Sequence, residues 1–313
     1  QTAAYLVTMI VALIVVVRKA KFRKLTWNRA FFMVILKKSL PYATLVMLMA
    51  IYYKVDSVFI ERILGGTEGK RQAGIYAQGF RLLDAVNQFA WLTAVLLLPI
   101  YARMIQLKQD LSKMVMMPYT LMLTTAIIVI SGSFFYRSEI MGWLYPKVDL
   151  QPATEYAVQH AESVQVFGIL MFGFIGIVTM YVFSTLLTAN GSLKQLNIIA
   201  FSGIIVNFIS NIILVPRFQA TGAAISSLAT QIITSGGYLL VARYKFRFKF
   251  DLKFLSTILL FTGLVIGFNL LSRILPFNWL VNFSLMLLIC LLTAFLFKLI
   301  NIREIARMVR EKI

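Results

Sequence analysis

Lys54, Asp56, Arg81 and Asp84 are ionisable residues set inside otherwise apolar segments of helical length. At the centre of a bilayer each such charge costs about 2.5–3.5 kcal/mol on insertion scales, about 10 kcal/mol for the four before any pairing. Charge kept at that depth faces a bundle interior or a water-filled path and marks a route for a substrate or an ion. Elsewhere the chain confines its charges to short loops or span ends. The four residues are the first candidate site, and Asn87 and Gln88 extend it as a polar strip one turn further in. Tyr52, Tyr53 and Tyr76 add hydroxyls nearby.

The segments carrying these charges read as an antiparallel hairpin around residues 65–73. Counting outward from the centre of that loop sets Lys54 level with Asp84 and Asp56 level with Arg81. Arg81 and Asp84 are three residues apart and share a helical face. The plainer reading is that these are ion pairs locking the hairpin. The functional one is that some line a hydrated cavity and meet a charged substrate, with Asp56 orienting Arg81. The planar fork of an arginine suits a diphosphate, because it binds two oxygens at once. The four charges balance to zero, which suits a proton- or cation-coupled carrier as well as an anion site.

Other chemistry finds few residues to work with. Cys290 is the one cysteine and lies in an apolar segment, and His160 is the one histidine and lies in a polar loop. A disulfide within the chain, a thiolate metal site and a histidine-based triad are excluded by counting. The loops hold no paired carboxylates beside a base, no glycine-rich phosphate loop and no metal-ligand spacing. An enzyme is not expected, and no cofactor is, apart from a coupling cation, sodium or proton, whose identity the residues do not specify.

The elements positioning these residues are membrane helices. Of 313 residues, 60% are hydrophobic and 14% charged, with a mean hydropathy of +0.82, too little polar material to cover a soluble surface. Nine spans are expected, at 3–17, 40–64, 74–101, 118–136, 163–188, 196–215, 221–242, 254–275 and 279–297. The fold class is therefore all-α, a polytopic helical bundle. The net charge of +19 is not a nucleic-acid stripe, since the basic residues cluster between spans. Loops on one side hold 22 Lys and Arg against seven on the other, which places the C-terminus in the cytoplasm and the 65–73 loop outside. The chain begins at Gln1 and enters an apolar segment at once, without the basic n-region of a signal peptide. It reads as starting part-way through a longer membrane protein.

Two loops promise structure of their own. Residues 26–38 mix Phe31, Phe32, Val34 and Ile35 with basic residues, which suits an amphipathic segment on the inner surface. Residues 137–162 hold turn signals at Pro146, Asp149 and Pro152, followed by a short helix over 154–162. Ordinary solvated connectors would account for both. Gly203, Asn207 and Asn211 recur every fourth residue, as do Gly222, Ser226 and Thr230. Such small, polar stripes predict close helix–helix contact. Ala189-Asn190-Gly191 predicts a tight turn.

Several of these segments carry a family likeness. Ser39-Leu40-Pro41-Tyr42 followed by Tyr53-Lys54-Val55-Asp56-Ser57-Val58-Phe59-Ile60 resembles the start of the second lobe of polysaccharide-lipid flippases. Ala73-Gly74-Ile75-Tyr76-Ala77, leading into Phe80-Arg81-Leu82-Leu83-Asp84, does too. Leu187-Thr188-Ala189-Asn190-Gly191-Ser192-Leu193-Lys194, then Asn207, Asn211, Pro216-Arg217 and Thr221-Gly222-Ala223-Ala224 complete the pattern. Over about 40–242 the ordered set resembles the Wzx-type, O-antigen-flippase-like branch of the multidrug/oligosaccharidyl-lipid/polysaccharide (MOP) exporter superfamily. The likeness implies two lobes of helices in alternating access. Residues 1–38 would be the last N-lobe span and a basic linker, 39–242 a six-span C-lobe, and 243–313 two added spans and a basic tail.

The implied task is moving polyprenyl-diphosphate-linked oligosaccharide from the inner to the outer leaflet of the bacterial cytoplasmic membrane. Lys54 and Arg81 match cavity-facing basic positions of the pattern, with Asp56 and Asp84 as partners. The implied partners are the bilayer, the lipid-linked glycan and other membrane proteins of polysaccharide assembly. A lipid II flippase, a cation-coupled drug exporter of the same superfamily, and a membrane polymerase or ligase of glycan assembly stand as alternatives. An exporter of cationic drugs would favour unpaired carboxylates. A polymerase would need a larger external loop bearing Arg, His and carboxylates.

Overall fold

In the computed structural model, which describes residues 2–19, 28–147, 152–248 and 251–300, the chain is all-helical, with no strand among the described residues. The elements are α1 (Thr2–Lys19), α2 (Arg29–Lys54), α3 (Asp56–Leu64), α4 (Gly66–Gln106), α5 (Ser112–Phe135), α6 (Arg137–Leu144), α7 (Ala153–Ala189), α8 (Leu193–Phe246), α9 (Leu252–Ser272) and α10 (Trp279–Leu296). Seven of them are long and apolar enough to cross a membrane, and the protein is a multi-pass membrane protein. The chain divides into two units, 1–42 and 43–313. The first holds α1 and the start of α2, and the described side chains of α1 are exposed from Leu6 onward.

The second unit is organised around α7, whose Phe167, Leu170, Phe174, Ile177, Phe183 and Leu186 are buried. Glycines let α7 approach its neighbours. A Cβ at Gly79 of α4 would lie 3.1 Å from the backbone of Phe167, and one at Gly176 3.0 Å from the Gln231 carbonyl. The faces turned outward are apolar, among them Phe208, Ile212, Ile232, Leu259 and Leu288, while the buried interior carries Ser, Thr, Asn and Gln. Polar-in, apolar-out order is what a hydrocarbon solvent selects, since backbone and side-chain polar groups must find partners within the bundle.

A straight α8 of 54 residues would be about 80 Å long, more than twice the hydrocarbon core. It instead folds back at Gln219, whose φ of 52° and ψ of −131° interrupt the helix after Pro216. Its halves are the two spans expected at 196–215 and 221–242. The two small, polar stripes meet as expected: Ser226 Oγ donates to the Asn207 carbonyl at 3.1 Å, and a Cβ at Gly203 would lie 2.4 Å from Thr234 Cγ2. The Asn190–Gly191 turn forms, with Gly191 at φ +70°.

The fold-back leaves the N–H of Ala220 without a helical acceptor, and the side chain of Gln72 supplies one, its Oε1 accepting at 3.2 Å. The Gln72 amide nitrogen donates in turn to Glu68 at 3.1 Å and to Glu162 of α7 at 3.3 Å. Arg71 bridges the same two carboxylates, each at 2.8 Å. One network thus joins the starts of α4 and α7 to the fold-back of α8. Further along, Tyr136 and Ser272 hydroxyls lie 2.7 Å apart, and Asn269 donates to Ser131 at 3.0 Å, fixing α9 to the end of α5.

Three expectations change. The part of 26–38 within the described residues from Arg29 onward is the start of α2, which runs unbroken past Pro41; there is no separate surface segment over it. Residues 154–162 form the first turns of α7 and no independent helix, whereas α6 occupies the start of that loop. The 65–73 loop is a two-residue turn at Gly65 and Gly66, both at positive φ (+65° and +54°), where glycine alone is free of Cβ strain. The turn signal at Asp149 and the basic tail beyond 300 lie outside the described residues.

Candidate functional site

The short Gly–Gly turn decides which charges meet. Because α4 starts at Gly66, a Cβ at Gly69 would lie 2.7 Å from the Glu61 carbonyl of α3, and Asp56 comes level with Tyr76 and not with Arg81. Tyr76 Oη donates to Asp56 Oδ2 at 2.8 Å. The other carboxylate oxygen accepts from Asn207 Nδ2 at 2.9 Å and Asn211 Nδ2 at 2.8 Å, both on the first half of α8. Asp56 is fully buried, and it sits where the helix is interrupted after Val55, which itself keeps helical dihedrals. Three elements therefore converge on one carboxylate.

The expected Asp56–Arg81 pair does not form. The buried stripe of α4 runs through Ile75, Gly79, Leu83, Asn87 and Ala90, and Arg81 is two residues from both Gly79 and Leu83. At 100° per residue it points to the opposite side of the helix. Arg81 is exposed and makes no ion pair among the described residues. Gln88 is exposed as well, whereas Asn87 is buried with its Oδ1 unpartnered.

The second expected pair does form. Lys54 Nζ lies 3.8 Å from Asp84 Oδ2, with Lys54 two-thirds exposed, and Tyr53 Oη approaches Asp84 Oδ1 at 3.4 Å. Phe80 packs against both Tyr53 and Tyr76, at centroid distances of 5.0 and 5.7 Å. Its ring contacts both tyrosines, one from the buried Asp56 cluster and one from the open Asp84 cluster. An exposed pair at the outer limit of ion-pair contact contributes about 1 kcal/mol or less. Lys54→Gln is accordingly expected to leave the melting temperature of the purified protein within about 3 °C of wild type, as read by differential scanning fluorimetry.

The site thus has two chemically distinct parts. One is a set of two exposed cations, Lys54 and Arg81, each able to meet an anion. The other is a buried carboxylate saturated by neutral donors. Asn207 and Asn211, read from sequence as packing, are partners of Asp56. The signal was two carboxamides four residues apart on one face of an apolar helix, matched to a carboxylate that no cation reaches.

Residues 1–105 match the family model described as polysaccharide biosynthesis protein. Among solved structures, a lipid II flippase, MurJ, in an inward closed conformation matches with a TM-score of 0.67 and 15% sequence identity, over 94% of this chain. The chain has the fold of that structure. It spans 60% of the length of the MurJ chain it matches. No curated protein matches its sequence. Within this fold, Asp56 opens α3, Lys54 ends α2 and Arg81 lies on α4, and the Phe80 ring touches Tyr76 of the Asp56 cluster and Tyr53 of the Asp84 cluster.

Proposed function

We propose that the protein moves a polyprenyl-diphosphate-linked oligosaccharide from the inner to the outer leaflet of a bacterial cytoplasmic membrane, by alternating access. The observation that carries this reading is Arg81: an exposed guanidinium, without an ion-pair partner among the described residues, on a membrane-crossing helix one turn from Asp84, which pairs with Lys54. An uncompensated arginine in such a place is expensive unless it meets an anion, and a diphosphate fits its fork. The polysaccharide-biosynthesis match over 1–105 and the MurJ-like fold support the same class of substrate. Lys54 then adds charge to the diphosphate site, and Asp84 holds Lys54 in place. Gln88 and Asn87 offer amides to sugar hydroxyls further along.

In this reading residues 1–38 end an N-lobe, 39–242 form the C-lobe and 243–313 add two spans, with the C-terminus in the cytoplasm. Substrate transfer needs both lobes, so transport belongs to the full-length protein. A coupling cation, sodium or proton, would act at Asp56, a fully buried carboxylate of the hairpin. Membrane proteins of polysaccharide assembly are the proposed partners, and no catalytic step is assigned to this chain. The likeness to MurJ favours lipid II as the alternative cargo, which carries the same diphosphate chemistry.

The test restores the deleted full-length protein as wild type or Arg81→Ala and measures access of lipid-linked oligosaccharide to an external glycan-modifying probe. Loss of a charge-assisted contact to diphosphate is worth about 10- to 100-fold in flipping rate. Accumulated inaccessible lipid-linked sugar, cured by wild type and not by Arg81→Ala, is the expected result. Unchanged lipid-linked sugar with altered drug sensitivity would replace this reading with drug efflux. Accumulation of lipid II alone would shift the cargo.

A further inference from the structure

The last turns of α8 carry a feature that the transport site leaves unused. Leu240 and Tyr244, four residues apart on one helical face, are 66% and 85% exposed. Arg243, Lys245 and Arg247 stand exposed beside them, and the five residues line an open groove of about 740 Å³. Among the described residues none of the three cations has a carboxylate partner.

This groove is held in shape from within. Phe248 is buried and stacks on Phe183 of α7 at 5.8 Å and on Phe246 at 6.3 Å. To return Phe248 to the bundle, Arg247 adopts φ +52°, a left-handed conformation that disfavours a bulky side chain. Lys245 is fixed as well, donating to Ser192 Oγ at 2.7 Å, where the same hydroxyl accepts from Asn190 Nδ2 at 2.9 Å. Phe246, Phe248 and the Lys245–Ser192 bond thus anchor the segment, while Arg243 and Arg247 stand exposed and the Lys245 ammonium keeps two further donors free for an anion.

Along the end of this helix an apolar side chain, Leu240, is followed one turn on by an aromatic one, Tyr244, with cations on either side of it in sequence and beyond it. That is the order in which a bilayer passes from acyl chain through the interface to phosphate. A soluble polyanion would make no use of Leu240 or of the apolar helix face above it. We propose that the groove binds the headgroup of an anionic phospholipid of the phosphatidylglycerol type. Leu240 meets its acyl chains, Tyr244 sits at ester depth, and Arg243, Lys245 and Arg247 hold its phosphate. The proposal does not depend on which glycan is carried.

The test uses the full-length protein in detergent and a photoactivatable phosphatidylglycerol, with peptide mapping of the adducts. Labelling of the peptide containing 240–248, competed by phosphatidylglycerol and not by phosphatidylcholine or millimolar inorganic phosphate, is the expected result. At about fivefold per basic residue, the triple variant R243Q/K245Q/R247Q should weaken binding of phosphatidylglycerol on the order of 100-fold. The variant R62Q/K70Q/K147Q removes the same charge elsewhere and should stay within about twofold of wild type. Adducts confined to other peptides, equal competition by phosphatidylcholine, or equal losses in the two triple variants would each overturn the proposal. So would preferential displacement by a polyprenyl diphosphate, which would make the groove an entry point for cargo. The wild-type mapping stands on its own if the first triple variant fails to fold.

Discussion

Asp56→Ala is expected to abolish transport by the full-length protein and to destabilise it by about 2–4 kcal/mol, a fall of roughly 5–15 °C in melting temperature. The substitution strands the Tyr76 hydroxyl and the Asn207 amide, each buried and facing the carboxylate. Asn211 suffers less, because its amide also donates to the Asn207 carbonyl at 2.9 Å. Asp56→Asn separates structure from charge. Its Oδ1 can accept from both asparagines, and its Nδ2 can donate to a Tyr76 hydroxyl turned to accept. Every hydrogen bond therefore has a counterpart, and stability should stay within about 1 kcal/mol of wild type. Melting and leaflet-transfer assays on the two variants distinguish the possibilities. A stable, inactive Asp56→Asn assigns the negative charge to coupling. A stable, active one reduces Asp56 to an interhelical tie and removes it from the mechanism.

The second large effect is expected at Gly222, where α8 doubles back. A Cβ there would lie 2.3 Å from the Leu214 carbonyl oxygen and 2.6 Å from its carbon. Both are backbone atoms of the facing half-helix, so no side-chain rotation relieves the contact. Gly222→Ala should spread the two halves, weaken the Ser226–Asn207 bond at their interface and cost about 3 kcal/mol or more. Gly236, in the same half of α8, has open space where its Cβ would stand. Gly236→Ala should be neutral or stabilise by up to about 1 kcal/mol, because alanine is the better helix former. Folded yield and melting temperature of the two variants, measured side by side, should thus move apart. Equal behaviour would show that the close approach at Gly222 is not maintained in the membrane.

Depth was legible in the sequence and azimuth was not. Hydropathy located the spans, and counting outward from the 65–73 loop brought Lys54 to Asp84, which long side chains tolerate even when the register is off. The same count failed for Asp56, whose short side chain requires the correct helical face. A two-residue turn shifted the register toward Tyr76, and the 3.6-residue stripe of α4 turned Arg81 away. That stripe could be read from Ile75, Gly79, Leu83 and Asn87, but apolar residues on the lipid side obscured it. Hydrophobic periodicity separates core from water, and here both faces of the helix are apolar. The Asn207 and Asn211 contacts with Asp56 join residues more than 150 positions apart, and local pattern does not encode such a meeting.

The amide of Gln72 has a mechanical meaning. Through it and the Arg71 carboxylates, the ends of α4, α7 and the second half of α8 are tied at a single point. The far ends of α7 and α8 are tied as well, by Phe248 stacked on Phe183, so the two helices act as one strut: they can tilt together, but they cannot slide past one another. A tilt of that strut about the tie at Ala220 would move its far end, near Asn190 and the groove beside Lys245, the furthest. A lipid held in that groove would sit on the long arm of the lever, where a small force has the most leverage over the tilt.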